Sequence, residues 1–353
     1  MTLRIVEASE GQLDDWDDLV RRAPEGNVFQ TRMWGQYWRE YQGGTPHHWM
    51  AVTETGETVG VLLFLCDAFV WEPFFERPLG GPILAGLRRL VRRQHVNSGP
   101  LVIAPEYRAQ VLAEFSAHLA RQSRRVLPMT AVTLTTPVAT EADDEGAAAD
   151  ISRALCSHGF ASKEVYTHCI DLQVEEDDLW NGLHRSARKA VNRARREQIT
   201  IRRIQGEQEL SILHDHVKRA RAQLGLRTFS IRNWTVMWDH LGPSEAVHMF
   251  VAEGPEGILA GLGVWSFGRT IQEFASALTD AGRSTTAGDL LKWEVILWGR
   301  EHGYSYYDLA GLNPREDATD KEKQIARFKR KWGGRDVRVH KLARHLLSGL
   351  RRS

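Results

Sequence analysis

The sequence predicts an α/β fold of two tandem domains, each with a mixed (α+β) sheet. Three observations predict it. At 353 residues the chain is too long for one ordinary core and suits two. Hairpin-like strand pairs are interspersed with amphipathic helices, which gives mixed rather than purely parallel sheets. An internal echo recurs at an offset of 200 residues, from His48 to His248. His48-Trp49-Met50-Ala51-Val52, a Gly/Glu turn and Val59-Gly60-Val61-Leu62 are matched by His248-Met249-Phe250-Val251-Ala252, a Gly/Glu turn and Leu259-Ala260-Gly261-Leu262. Two copies of one α/β unit explain the echo most simply.

In chain order, Leu3–Val6 reads as a first strand. Gln12–Ala23 reads as one amphipathic helix with Leu13, Trp16, Leu19 and Val20 on a face. Thr31 is a suitable cap for a helix over Met33–Tyr41, which carries Trp34, Tyr37, Trp38 and Tyr41. Their helical spacing makes most of them core and leaves room for one to stack on a ligand. Two strands joined through Glu54-Thr55-Gly56-Glu57 follow. A tight loop comes after Arg77, and then a long helix over Glu106–Arg124 and a strand at Ala131–Leu134. The acidic, small-residue stretch 139–149 marks the boundary, so the expected domains are 1–148 and 149–353. The second half repeats the plan. It has a strand at His168–Leu172, a helix over Asp177–Glu197, helices Gln208–Leu224 and Ile231–Leu241, a hairpin, a strand, helix Gly288–His302 and strand Tyr304–Leu309.

Composition narrows the function. Hydrophobic content of 42% supports two cores and excludes global disorder. Net charge is +1, so any phosphate or nucleic-acid binding must come from local patches. Cys66, Cys156 and Cys169 are isolated, which argues against a disulfide framework and a thiolate zinc site. A reducing cytosol, a monomer and no transmembrane span are expected; the longest apolar run, Val59–Trp71, is short and contains Asp67. No phosphate-loop, nucleophile-elbow, zincin or Rossmann fingerprint occurs. His214 and His216 lack the i,i+4 spacing of a helical metal pair and read as surface residues; no metal is expected.

The segment 184–196 is strongly basic: His184, Arg185, Arg188, Lys189, Arg193, Arg195 and Arg196, with Glu197 the nearest acid. Leu183, Ala187, Val191 and Ala194 form the opposing apolar stripe. Exposed helices usually mix signs to gain i,i+4 pairs, so this concentration points to an anionic partner. Charges running over several turns suit a nucleic-acid backbone better than one phosphate. Near the C-terminus, Gln324–Gly334 crowds Arg327, Lys329, Arg330 and Lys331 around Phe328 and ends in two glycines. One reading is a helix C-terminus, with cations at its negative end and a Gly cap. The other places Lys329 in a cleft facing developing negative charge. The residues alone leave both open.

Five stretches carry a family resemblance. Asn27-Val28-Phe29-Gln30-Thr31-Arg32-Met33-Trp34-Gly35 resembles the opening motif of the Fem family of non-ribosomal peptidyl transferases, and Arg188–Ala194 resembles its basic helix. Leu290-Leu291-Lys292-Trp293-Glu294, Tyr307-Asp308-Leu309-Ala310-Gly311 and Phe328-Lys329-Arg330-Lys331-Trp332-Gly333-Gly334 resemble its C-terminal blocks, in order and spacing.

The resemblance implies two tandem GNAT-like acyltransferase domains. It implies transfer of an amino acid from aminoacyl-tRNA to an amine, on a peptidoglycan precursor or a peptide-type antibiotic. It makes Lys329 the catalytic cation. Arg185, Arg188, Lys189, Arg193, Arg196, Arg330 and Lys331 would then hold the tRNA. Trp34, Trp38, Arg39, Arg77 and Arg232 are the expected acceptor contacts; Trp38 and Arg39 stand where the family often carries a phosphate-binding Lys. Aminoacyl-tRNA is a co-substrate, and no other cofactor is implied. Residues 206–246 are too short for the long helical arm of some members. The alternative is a GNAT-type N-acyltransferase using acyl-CoA. Arg283-Ser284-Thr285-Thr286-Ala287-Gly288 half-fits the GNAT pyrophosphate loop, but Thr286 occupies the first glycine position, where a Cβ hinders close approach.

Overall fold

The computed structural model describes residues 2–68, 92–123, 131–138, 145–223, 228–255 and 257–345. It divides into two compact units, Met1–Val165 with Arg338–Ser353, and Tyr166–Val337. The division therefore lies after Val165 rather than after residue 148. The reason is packing: Ile151, Leu155 and Phe160 are buried in the first unit's core, so the segment after the acidic stretch is not a linker.

The first unit holds β1 (Arg4–Glu7), α1 (Glu10–Leu13), α2 (Trp16–Arg22), α3 (Arg32–Gln42), β2 (Thr45–Val52), β3 (Thr58–Ala68), β4 (Arg92–Val96), β5 (Leu101–Val102), α4 (Arg108–Ser123), β6 (Ala131–Thr135) and α5 (Glu145–Ser157). The single helix expected over 12–23 is two, broken at Asp14-Asp15; Trp16 and Val20 carry the burial. Thr31 caps α3 as expected, its hydroxyl accepting from Trp34 N. Strands β1, β2, β3 and β4 pair antiparallel in that order; β4 pairs parallel with β6, and residues 341–345 pair antiparallel with β6. The core is Trp49, Val59, Leu62 and Phe64 from the hairpin, with Val111, Phe115 and Leu119 from α4.

The second unit begins within β7 (Ala161–Asp171). It continues with α6 (Glu176–Gly182), α7 (Arg185–Arg196), β8 (Thr200–Arg203), α8 (Gly206–Gln223), α9 (Ile231–Leu241), β9 (Val247–Gly254), β10 (Gly257–Phe267), β11 (Thr270–Leu278), α10 (Ala287–Glu301), β12 (Tyr306–Leu312), α11 (Asp320–Arg330) and the start of β13 (Arg335–His345). Its strand order is β7-β12-β11-β10-β9-β8, with β11 and β12 parallel and the other neighbours antiparallel. The echo read from the sequence is the β2–β3 and β9–β10 pair of hairpins. A glycine in the second strand of each lets a helix close in: a Cβ on Gly60 would run into Val111 of α4, and one on Gly261 into Leu213 of α8.

The helix expected over 177–197 is also two. Leu183 is extended and buried, and His184 caps α7 by accepting from Ser186 N at 3.2 Å. The stripe Ala187, Val191 and Ala194 is fully buried in the second core, as the spacing required. His214, read as a surface residue, is buried: α8 turns it inward, where Nε2 lies 2.8 Å from the Phe229 carbonyl and the ring meets Trp234 edge-on. No described helix is long and apolar enough to cross a membrane.

A candidate functional site in the second unit

Strands β11 and β12 pair through only three residues, from Thr270↔Tyr306 to Gln272↔Asp308. Both strands continue, β11 to Leu278 and β12 to Leu312, without further pairing to each other. The opening between them beyond Gln272 and Asp308 is the candidate cleft. Each strand is irregular there. Phe274 drops out of the β10–β11 register, and β12 shifts register against β7 between Asp308 and Gly311. Such bulges re-aim side chains and backbone at functional rims.

Lys329 reaches this cleft from α11. Thr319 starts that helix with a capping box to Glu322. Gly333 and Gly334 end it at φ 77° and 79°, values an L side chain rarely takes, and a Cβ on Gly334 would strike the Cys169 carbonyl. The buried Trp332 anchors the turn. The helix-end reading is thus borne out, and the same helix end carries Lys329. Lys329 Nζ donates to the carbonyls of Ala310 at 2.9 Å and Gly311 at 2.6 Å. Burial lowers its pKa from the usual lysine value, while Glu273 and Asp308 pull it back up.

Behind the cleft lies a charged interior that the sequence reading did not assign. Lys292 of α10 is 3% exposed. It forms an ion pair with Glu273 of β11 and donates to Tyr307 Oη at 3.3 Å. Tyr307 Oη in turn donates to Glu273 at 3.0 Å. Burial pushes the Lys292 ammonium down, and the Glu273 charge opposes that shift. The same burial, with Glu273, raises the Tyr307 hydroxyl well above its usual value. The signal for this network was Lys292 itself, one lysine in an otherwise apolar helical face.

The termini of α7 and α11 meet. The His184 backbone N–H donates to the Lys331 carbonyl at 2.9 Å. The basic face of α7 therefore starts at the end of the helix that carries Lys329. Arg185, Lys189 and Arg196 on it are exposed and form no ion pair among the described residues. Arg193 pairs with Glu197 at 2.7 Å and stays exposed; Arg188 is half-buried and donates to the Asn181 carbonyl at 3.0 Å. Arg330 and Lys331 are already neutralised within the unit, by Asp336 and Asp289 respectively. Lys331 also lies 4.4 Å from the centre of the Phe328 ring.

The expected acceptor contacts fall differently. Trp34 is 3% exposed, with Phe29, Tyr37 and Trp38 around it. Aromatic packing makes it a core residue of the first unit rather than a ligand contact. Trp38 is half-buried, and its Nε1 donates to Asp67 at 2.9 Å. Arg39 is exposed on α3, and Arg232 is exposed in the first turn of α9. Arg77 lies outside the described residues. Thr286 is the N-cap residue of α10, and its hydroxyl makes no cap bond. No group of three or more His, Cys, Asp or Glu among the described residues is arranged to hold a metal.

A sequence model of the acetyltransferase (GNAT) domain matches residues 182–330, within the second unit. No curated protein matches the sequence. Among solved structures, FemX superposes with a TM-score of 0.73 at 14% identity, covering 96% of each chain. A tandem GNAT protein from the clavulanic acid biosynthesis pathway gives 0.55 at 13% identity, covering 98% of each chain. The C-terminal domain of a putative lysylphosphatidylglycerol synthetase from Agrobacterium fabrum gives 0.54 at 13% identity, covering 94% of this chain and 91% of that one. At these identities the likeness shows the fold alone: a Fem-like tandem GNAT fold of mixed α/β class.

Proposed function

We propose that this Fem-like tandem GNAT protein moves an amino acid from aminoacyl-tRNA to an amine of a peptide-type acceptor, a peptidoglycan precursor or a peptide natural product. The observation that carries the reading is Lys329. An ammonium has three donors; two are taken by the Ala310 and Gly311 carbonyls, and the third is left for the cleft. The aminoacyl ester is already activated, so aminolysis needs no covalent enzyme intermediate. The amine nitrogen attacks the ester carbonyl about 3 Å away. The third Lys329 donor meets the oxyanion as it forms. The C–N bond closes, the C–O bond to the tRNA ribose breaks, and the amine's proton ends on that ribose oxygen. A fixed donor of this kind is typically worth about two to three orders of magnitude in rate.

The tRNA surface in this reading is α7, with Arg185, Lys189, Arg193 and Arg196 facing the acceptor stem and Arg188 fixing the helix start. Arg330 and Lys331 have partners of their own and act by holding the end of α11. Arg232 remains a proposed acceptor contact within the second unit. No metal or further cofactor enters the step.

The test uses radiolabelled amino acids, total tRNA, synthetases and peptide amine acceptors, with and without RNase. The reading expects label in the acceptor that RNase abolishes; RNase-resistant transfer contradicts it. The match to an acetyltransferase domain favours a second reading, N-acylation from acyl-CoA. Thr286 stands against it, and saturable binding of acetyl-CoA would support it.

A further inference from the structure

Asp308 is 1% exposed and lies at the last paired position of β12 before the cleft. Three donors hold its carboxylate. Thr167 Oγ1 of β7 donates to Oδ1, Gln272 Nε2 of β11 donates to Oδ2 at 2.5 Å, and Ala310 N donates to Oδ1 at 2.7 Å. The third bond is local and curls the chain back two residues on, as Asp side chains do in turns. It falls inside the β12 register shift, and Ala310 there takes φ 64°, in the left-handed region. That conformation is disfavoured for an L residue, so something must hold it. The carbonyls leaving this bulge, those of Ala310 and Gly311, are the two that receive Lys329 Nζ.

We propose that Asp308 is the positioning residue of the site: it holds the Ala310 bulge, and the bulge aims Lys329. This inference rests on the reading of Lys329 given above. The neighbouring strands set Asp308 through Thr167 and Gln272. Asp308 sets the Ala310 backbone, and that backbone fixes where the third ammonium donor points. Asp308 itself touches neither substrate nor the reacting atoms. Charged groups from three elements bear on Lys329: Asp308 of β12, Glu273 of β11 and Lys292 of α10. Removing the Asp308 charge therefore both frees the amine and favours its neutral form.

The test reads Lys329 directly and needs no substrate. Intact protein is labelled with trace acetic anhydride, and the peptide containing Lys329 is quantified against those containing the exposed Lys163 and Lys341. Asp308→Asn is expected to speed acetylation of Lys329 about threefold or more, the scale of one lost hydrogen bond. Ala310→Gly, which takes positive φ without help, is expected to bring labelling part of the way back toward wild type when combined with Asp308→Asn, since the lost charge is not replaced. A residue that only stabilised the core would not be rescued in this way. Unchanged labelling in Asp308→Asn, or no recovery in the double variant, overturns the proposal. If Asp308→Asn does not fold, Thr167→Val removes one donor to the carboxylate and is expected to shift labelling in the same direction; no shift there overturns the proposal equally. The labelling and the transfer assay fail independently, so loss of one reading leaves the other identifiable.

Discussion

The two units share a hairpin and differ in what lies behind it. His48 of β2 and His248 of β9 hold corresponding places, and burial pushes both down to about 4, so both are neutral core residues. Both hairpins admit a helix at a glycine. Among the described residues each unit also has one three-residue parallel pairing, β4–β6 in the first and β11–β12 in the second. Beside the first pairing lie the apolar Val132, Leu134, Val111 and Phe115 and one buried titratable pair, Asp67 and His95, 3.9 Å apart. Behind the second lie Tyr307, Asp308, Glu273 and Lys292. Buried ion pairs are often no more stable than apolar residues of the same volume. Among the described residues the second unit thus sets a buried lysine against its acid, where the first sets a buried histidine. Departures of this kind from the stable pattern concentrate at functional sites.

Removing the charges of the second interior should have the largest effect. Lys292→Met alone strands the Glu273 carboxylate in the core and is expected to cost about 3–5 kcal/mol in denaturant unfolding. Adding Glu273→Met is expected to restore wild-type stability or exceed it, while transfer stays impaired. A neutral single substitution would break the comparison. Next, among the described residues the basic helix face lies in the second unit. Joint Gln substitution of Arg185, Lys189, Arg193 and Arg196 should weaken tRNA binding at least about tenfold and flatten its salt dependence by about 0.9 for each phosphate no longer neutralised. Arg22→Gln in the first unit should leave filter binding unchanged. The smallest effect concerns the end of α11. Burial pushes the Asp336 carboxyl up, but hydrogen bonds from Arg330 and His168 more than offset this and hold it below the usual carboxylate range. A carboxylate depressed on folding contributes stability above its unfolded value of about 3.9 and loses it as pH falls through the folded value. Asp336→Asn should therefore cost about 1 kcal/mol at neutral pH, and the gap from wild type should close below about pH 4.

Local patterns were legible in the sequence. The Ala187-Val191-Ala194 stripe, the Thr31 cap and the two hairpins each follow from spacing within one element, and all stand in the structure. What escaped was pairing between elements. Lys292 meets Glu273 across a helix–strand interface, so it reads locally as an ordinary polar interruption. The Ala310 bulge depends on β12 register against β7, which no local pattern specifies. Arg330 and Lys331 looked free because Asp336 and Asp289 join them only in the fold. Trp34 and His214 show the converse error, polar or functional readings of side chains that burial claimed. The domain boundary moved because α5, after the acidic stretch, packs into the first core.

The central claim is that Lys329 carries the chemistry of the second unit. Its most direct test is RNase-sensitive transfer by Lys329→Ala beside wild type, at matched tRNA occupancy. The account predicts a fall of about two to three orders of magnitude in rate, with thermal unfolding and tRNA affinity retained. Transfer at the wild-type rate by the folded variant would contradict it.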